Sequence, residues 1–80
     1  MATVHFSGGL SQYTGGIETV EIEAPRVHEL IVALTSRFPA LAGHLEDLAV
    51  SVDGEIYNDA PYRRLRLDSE IYFIPRVAGG

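Results

Sequence analysis

Polar and apolar residues alternate along Thr3-Val4-His5-Phe6, the period of two that gives a strand one buried face. Gly8-Gly9 ends that run. After the loop Ser11 to Gly16 the alternation returns, with Val20 and Ile22 on one face and Thr19, Glu21 and Glu23 on the other. The two segments are predicted to form a hairpin. From Pro25 the period lengthens: Val27, Leu30, Ile31, Leu34 and Phe38 stand three and four apart, the apolar stripe of an amphipathic helix. Pro25 suits the first helical position, where a missing N–H costs little. Pro39 marks the stop, because the residue before a proline is pushed out of the helical region. The pattern of Ala40 to Asp47 is too brief to assign beyond a short turn. Leu48, Val50 and Val52 then alternate with Ala49, Ser51 and Asp53, a third strand closed by the tight-turn pair Asp53-Gly54. Glu55-Ile56-Tyr57 returns as a short strand, and Asn58 to Arg64 is a polar loop. Glu70-Ile71-Tyr72-Phe73-Ile74 reads as the last strand, apolar on both faces, which implies a central place in the sheet or an outer face that a partner covers.

One amphipathic helix and a sheet with one apolar face make two layers. The last strand can lie parallel to the first only through the intervening helix and strands. The expected fold is therefore α+β, a β-grasp (ubiquitin-like) domain with a mixed sheet of four to five strands packed on one main helix. It spans residues 1–80 as a single domain with a flexible C-terminal tail at 75–80.

Composition narrows the function classes. With 80 residues, 46% of them hydrophobic and 21% charged, the chain is an ordinary small globular domain. Its apolar stretches, such as Leu30 to Leu34, fall far short of the roughly 20 residues that cross a bilayer. Met1 to Phe6 lacks the basic region and apolar core of a secretory signal, so a cytoplasmic location is expected. Cysteine is absent, which removes disulfides and thiolate chemistry. The net charge of −5 disfavours nucleic acid and favours a partner with a basic surface. All six basic residues are arginine, and the cluster Arg63, Arg64 and Arg66 reads as a solvated loop. His5, His28 and His44 are not spaced as metal ligands, and no metal site is expected. Glu18, Glu21 and Glu23 suit a solvated strand that discourages edge pairing. No serine has a base beside it in sequence, and Gly8-Gly9 and Gly15-Gly16 are turn glycines without a phosphate-binding fingerprint.

The segment Phe73-Ile74-Pro75-Arg76-Val77-Ala78-Gly79-Gly80, together with Phe6-Ser7-Gly8-Gly9-Leu10, Arg37-Phe38-Pro39, Val52-Asp53-Gly54-Glu55 and Asp68-Ser69-Glu70-Ile71, resembles the ubiquitin-like sulfur carriers of the MoaD/ThiS family. The resemblance spans nearly the whole chain. Arg76 departs from it, standing where many members of the molybdopterin-synthase type carry a second proline. The resemblance implies a carrier and not an enzyme. A ubiquitin-activating-type adenylyltransferase would adenylate the Gly80 carboxylate, a sulfur donor would convert it to a thiocarboxylate, and a sulfur-accepting biosynthetic enzyme would receive the sulfur. The chain itself would bind no cofactor, ATP and magnesium belonging to the activating partner. Elementary chemistry agrees with these residue types. A free carboxylate is a poor electrophile and needs a leaving group. Gly79 and Gly80, after Val77 and Ala78, lack Cβ atoms and can thread a narrow channel. Pro75 stiffens the exit from the sheet. If Ile71 and Phe73 face the helix, Tyr72 and Ile74 face away from it, and with Pro75 and Arg76 they are the expected partner-binding residues; burial under a loop is the other reading of that pair. Two further functions fit the same tail: a ubiquitin-like modifier joined through Gly80 to target proteins, and the small subunit of a stable synthase. Without lysine the chain cannot build lysine-linked chains on itself. The product that receives the sulfur, whether molybdopterin, thiamine, cysteine or another thio-metabolite, stays open.

Overall fold

The alternating segments pair as their patterns require in the computed structural model, which describes residues 1–6, 9–45, 48–57 and 62–75. β1 (Ala2–His5) and β2 (Thr19–Ile22) are antiparallel, with Val4 opposite Val20. β5 (Glu70–Pro75) lies parallel to β1, placing Ile71 beside Val4 and Tyr72 beside His5. Its other side takes β3 (Leu48–Val52) antiparallel, and β4 (Glu55–Tyr57) closes the outer edge. The five-stranded order is β2-β1-β5-β3-β4, the expected mixed sheet. β5, apolar on both faces, is indeed the central strand.

Helix α1 (Val27–Arg37) covers one face and buries Val27, Leu30 and Leu34. Beneath it, register aligns Val20, Val4, Ile71 and Val52 in one row across four strands. Phe73 and Val50 pack in the same core, and Phe6 meets Phe38 edge-on with ring centroids 5.8 Å apart. Two 3₁₀ turns, Leu10–Tyr13 and Pro39–Leu41, pack together at the end of this layer where β1 and α1 finish. They bring in Leu10 and Leu41, and the residues that follow the second turn add Leu45. Segments that read only as a loop and a brief turn thus contribute core side chains.

One local expectation is corrected. Pro25 is not the first helical residue, because α1 begins at Val27 and its N-cap Arg26 is extended, with φ −142° and ψ 166°. Arg26 is held there by an antiparallel bridge to Arg64. The Leu65 N–H donates to the Pro25 carbonyl (2.9 Å), and the Val27 N–H donates to the Arg63 carbonyl (3.0 Å). The tertiary bridge holds Pro25 and Arg26 extended, which delays the helix.

The start of β5 is clamped by the turn after β3. Asp53 and Gly54 both take positive φ, 51° and 89°, the backbone of a two-residue hairpin turn. In that conformation the Asp53 carboxylate accepts the Glu70 N–H (2.9 Å) and the Ser69 hydroxyl (3.0 Å). The Asp53 N–H returns a bond to the Glu70 carbonyl (3.0 Å), and Ser69 Oγ accepts the Arg66 N–H (2.8 Å). Ser69 is only 1% exposed. The Glu70 N–H chiefly, then the Ser69 hydroxyl and the charges of Arg66 and Arg63, hold the Asp53 carboxyl below its ordinary value of 3.8 against a partial desolvation that raises it.

These contacts set two predictions. Leu30 is completely buried, so Leu30→Ala should lower unfolding free energy by about 2–5 kcal/mol in urea titration. A carboxylate whose pKa is lower in the folded state stabilises at neutral pH, and that contribution disappears as pH falls from the ordinary value through the lowered one. Asp53→Asn should therefore cost about 1–2 kcal/mol at pH 7, and the gap to wild type should close as unfolding is measured at successively lower pH below about 4.

Candidate functional site

The chain reaches its candidate reactive end through the middle of the sheet. Pro75 is the last residue of β5 and sits opposite Leu48 of β3. Arg76, Val77, Ala78, Gly79 and Gly80, with the flexibility expected of them, lie outside the described residues. β5 runs from the Asp53 clamp toward this end, so the sheet has a tail pole. The start of α1, the Asp53-Gly54 turn and residues 62–68 occupy the opposite pole.

The side chains of β5 divide between the faces as a period of two dictates. Ile71 and Phe73 point under α1 with 0% and 2% exposure, whereas Tyr72 on the outer face is 40% exposed and Ile74 is half-buried. Ile74 lies opposite Ala49, an outward residue of β3 that is nonetheless fully buried. Tyr72 lies between His5 of β1 and Ser51 of β3. Ser51 is in turn opposite Ile56 of β4, which is 57% exposed. His5 is opposite Thr19 on β2. Thr19, His5, Tyr72, Ser51 and Ile56 thus form one transverse row over all five strands. Within it the His5 and Tyr72 rings stack with centroids 4.3 Å apart and planes 8° from parallel. His5 Nε2 also lies 3.2 Å from Glu70 Oε2.

Sequence reasoning placed Tyr72 and Ile74 on this face but missed His5 and Ile56. The alternation of β1 puts His5 on the face away from the core, but nothing local marks it as a neighbour of Tyr72. Ile56 sits in a strand too short to reveal a face. A signal for Ile56 was nevertheless present: an Asp-Gly two-residue turn forces Val52 opposite Glu55 and hence Ser51 opposite Ile56.

The remaining candidates do not assemble into a site. His28 is exposed on α1, and His44 stacks on Tyr13 at 4.1 Å. Among the described residues no three His, Cys, Asp or Glu side chains come together as a metal site. Ser69 does reach a carboxylate, but it is the buried clamp above and has no histidine partner. Arg63 lies 5.0 Å from the centre of the Tyr57 ring, and Arg66 is 3.9 Å from Asp53. Asp53 and Glu55 line the same hollow as Arg63, Arg64 and Arg66, so the arginine loop is a mixed-charge surface and not an anion cradle. The apolar groove beside Ala2, Pro25 and Leu67 belongs to the pole opposite the tail. No described helix is long and apolar enough to cross a membrane.

Known structures share this fold. One chain of the Amycolatopsis orientalis BexX/CysO complex superposes with a TM-score of 0.86 at 25% identity, over 100% of both chains. SAMP1 from Haloferax volcanii gives 0.79 at 21% identity, over 99% of this chain and 98% of that one. A putative molybdopterin converting factor subunit 1 from Pyrococcus furiosus gives a TM-score of 0.78 at 22% identity, over 95% and 97%. At such identities the latter two speak for the fold alone. No curated protein matches the sequence. The sequence model of the ThiS family matches residues 4–80, from within β1 to the last glycine. The chain belongs to the ThiS family and has the β-grasp fold of the ubiquitin-like sulfur carriers.

Proposed function

We propose that this protein is a sulfur carrier whose Gly80 carboxylate is the working group. The family match that runs through Gly80 carries this reading. A ubiquitin-activating-type adenylyltransferase, using ATP and magnesium, brings the Gly80 carboxylate oxygen onto the α-phosphorus, and pyrophosphate leaves. A sulfur nucleophile at the oxidation level of hydrosulfide then attacks the acyl carbon and displaces AMP, leaving a thiocarboxylate. The charge balance is simple, since the carboxylate and hydrosulfide together lose one proton and one oxygen passes to AMP. A sulfur-accepting biosynthetic enzyme finally takes the sulfur and returns the carboxylate.

The chain contributes position more than chemistry. The clamp at Asp53 and Ser69 seats β5, and β5 carries the tail from a strand bonded on both sides. Tyr72 and Ile74, just before Pro75 and Arg76, form the docking face for the activating enzyme. Assembly with a further protein has parallels in the BexX/CysO complex and in the complex of subunits 1 and 2 of the molybdopterin-converting factor from Helicobacter pylori.

Intact-mass measurement after incubation with the activating enzyme, ATP and a sulfur donor should show one oxygen exchanged for sulfur at Gly80. Persistent failure of that exchange refutes the carrier reading. Adducts to other proteins that survive reductant and denaturant would instead support the modifier function. Deleting Gly80 should abolish the exchange while the unfolding transition stays in place. Replacing Tyr72 and Ile74 together with serine should weaken binding of the activating enzyme about tenfold or more, with the domain still folded by circular dichroism.

A further inference from the structure

The row across the outer face alternates in bulk. Tyr72 and Ile56 are large and exposed, at 40% and 57%, and the residue between them in register is Ser51. Two strand spacings separate Tyr72 from Ile56, about 10 Å, which leaves space above the serine for one side chain. On its other side Tyr72 is not free to move. The His5 ring lies flat against it at 4.3 Å, and His5 is held through Nε2 to Glu70, which precedes Tyr72 by two residues on the same face of β5. Near-parallel rings with centroids 4.3 Å apart form the offset stack that aromatic pairs favour, so the contact is itself attractive.

We infer that Tyr72, Ser51 and Ile56 form a recess that receives one apolar side chain of the activating enzyme, and that His5 is a positioning residue which holds the Tyr72 wall in place before docking. The inference deepens the docking part of the proposed function and rests on it. The occupant follows from continuity with the tail: an enzyme that seats Gly80 must approach along β5, and the eight residues after Tyr72 span at most about 28 Å. Charge specifies the rim. Glu21 and Glu70 border the row, and none of the outward side chains of the described strands is Lys or Arg, so basic residues should surround the inserted side chain. Holding Tyr72 in one rotamer beforehand removes an ordering cost that binding would otherwise carry. The stack itself supports the Tyr72 wall, and the contact with Glu70 adds only to the orientation of the His5 ring.

The test is pyrophosphate exchange catalysed by the activating enzyme of the same organism, measured against concentration of this protein to separate KM from kcat. Ser51→Leu fills the recess and should raise KM about tenfold with kcat unchanged. His5→Ala should raise KM about fivefold, and His5→Phe, which can stack but cannot bond Glu70, should restore most of that loss. In NMR spectra His5→Ala should also release the Tyr72 ring protons from the upfield displacement a stacked imidazole imposes. Unchanged KM for Ser51→Leu and His5→Ala, alongside raised KM for Tyr72→Ala and Ile74→Ser, overturns the recess while leaving the docking face standing. Unchanged KM in all four variants overturns the docking face as well, and a wild-type chain that is never adenylated refutes the parent function itself.

Discussion

The structure depends on the insertion of β5 between β1 and β3. Without it the sheet separates into two hairpins, β2-β1 and β3-β4, neither wide enough to present a continuous apolar floor to α1. Every element is arranged to admit this strand. The parallel pairing with β1 needs a crossover, and α1 with the segments around it supplies one. The antiparallel pairing with β3 needs a fixed register, and the Asp53 carboxylate fixes it by bonding the first residues of β5 from the end of β3. Ile71 and Phe73 then complete a core that Val4, Val50 and Val52 begin.

The same insertion links fold to function. β5 is paired with β1 over Glu70–Tyr72 and with β3 over Ile71–Pro75, so recognition of it falls chiefly to side chains on its outer face and to the chain that emerges from it. In the proposed function Tyr72 and Ile74 serve the first purpose, and the residues beyond Pro75 serve the second. The two layers of the domain thus have separate duties, the helix side holding the strand and the open side identifying it.

Most of the architecture was legible in periodicity. Alternation located the strands at Thr3, Thr19 and Leu48, a run apolar on both faces located the one at Glu70, and the change of period after Pro25 located α1, because burial on one face or on both imposes those patterns. Three kinds of feature were not legible. The 3₁₀ turns bury Leu10 and Leu41 through irregular backbone, which leaves no repeat to detect. The late helix start depends on Arg26 pairing with Arg64, a contact no local pattern encodes. The stack of His5 on Tyr72 joins residues far apart in the chain through parallel register, whereas Ser51 and Ile56 could have been paired from the Asp53-Gly54 turn alone. The candidate reactive terminus was readable only through family resemblance, since a glycine pair by itself carries little chemistry.

The central place of β5 also has a mechanical consequence. A partner that draws the tail into a channel pulls along the axis of β5, and the load falls first on the ladder to β3 at Phe73–Pro75 and then on the ladders to β3 and β1 together. Because the pull runs along the strand, those bonds are loaded in shear as a group and are not peeled one at a time. Such a strand resists a pull on its end, which suits the proposed function, in which the tail is handed from one enzyme to another.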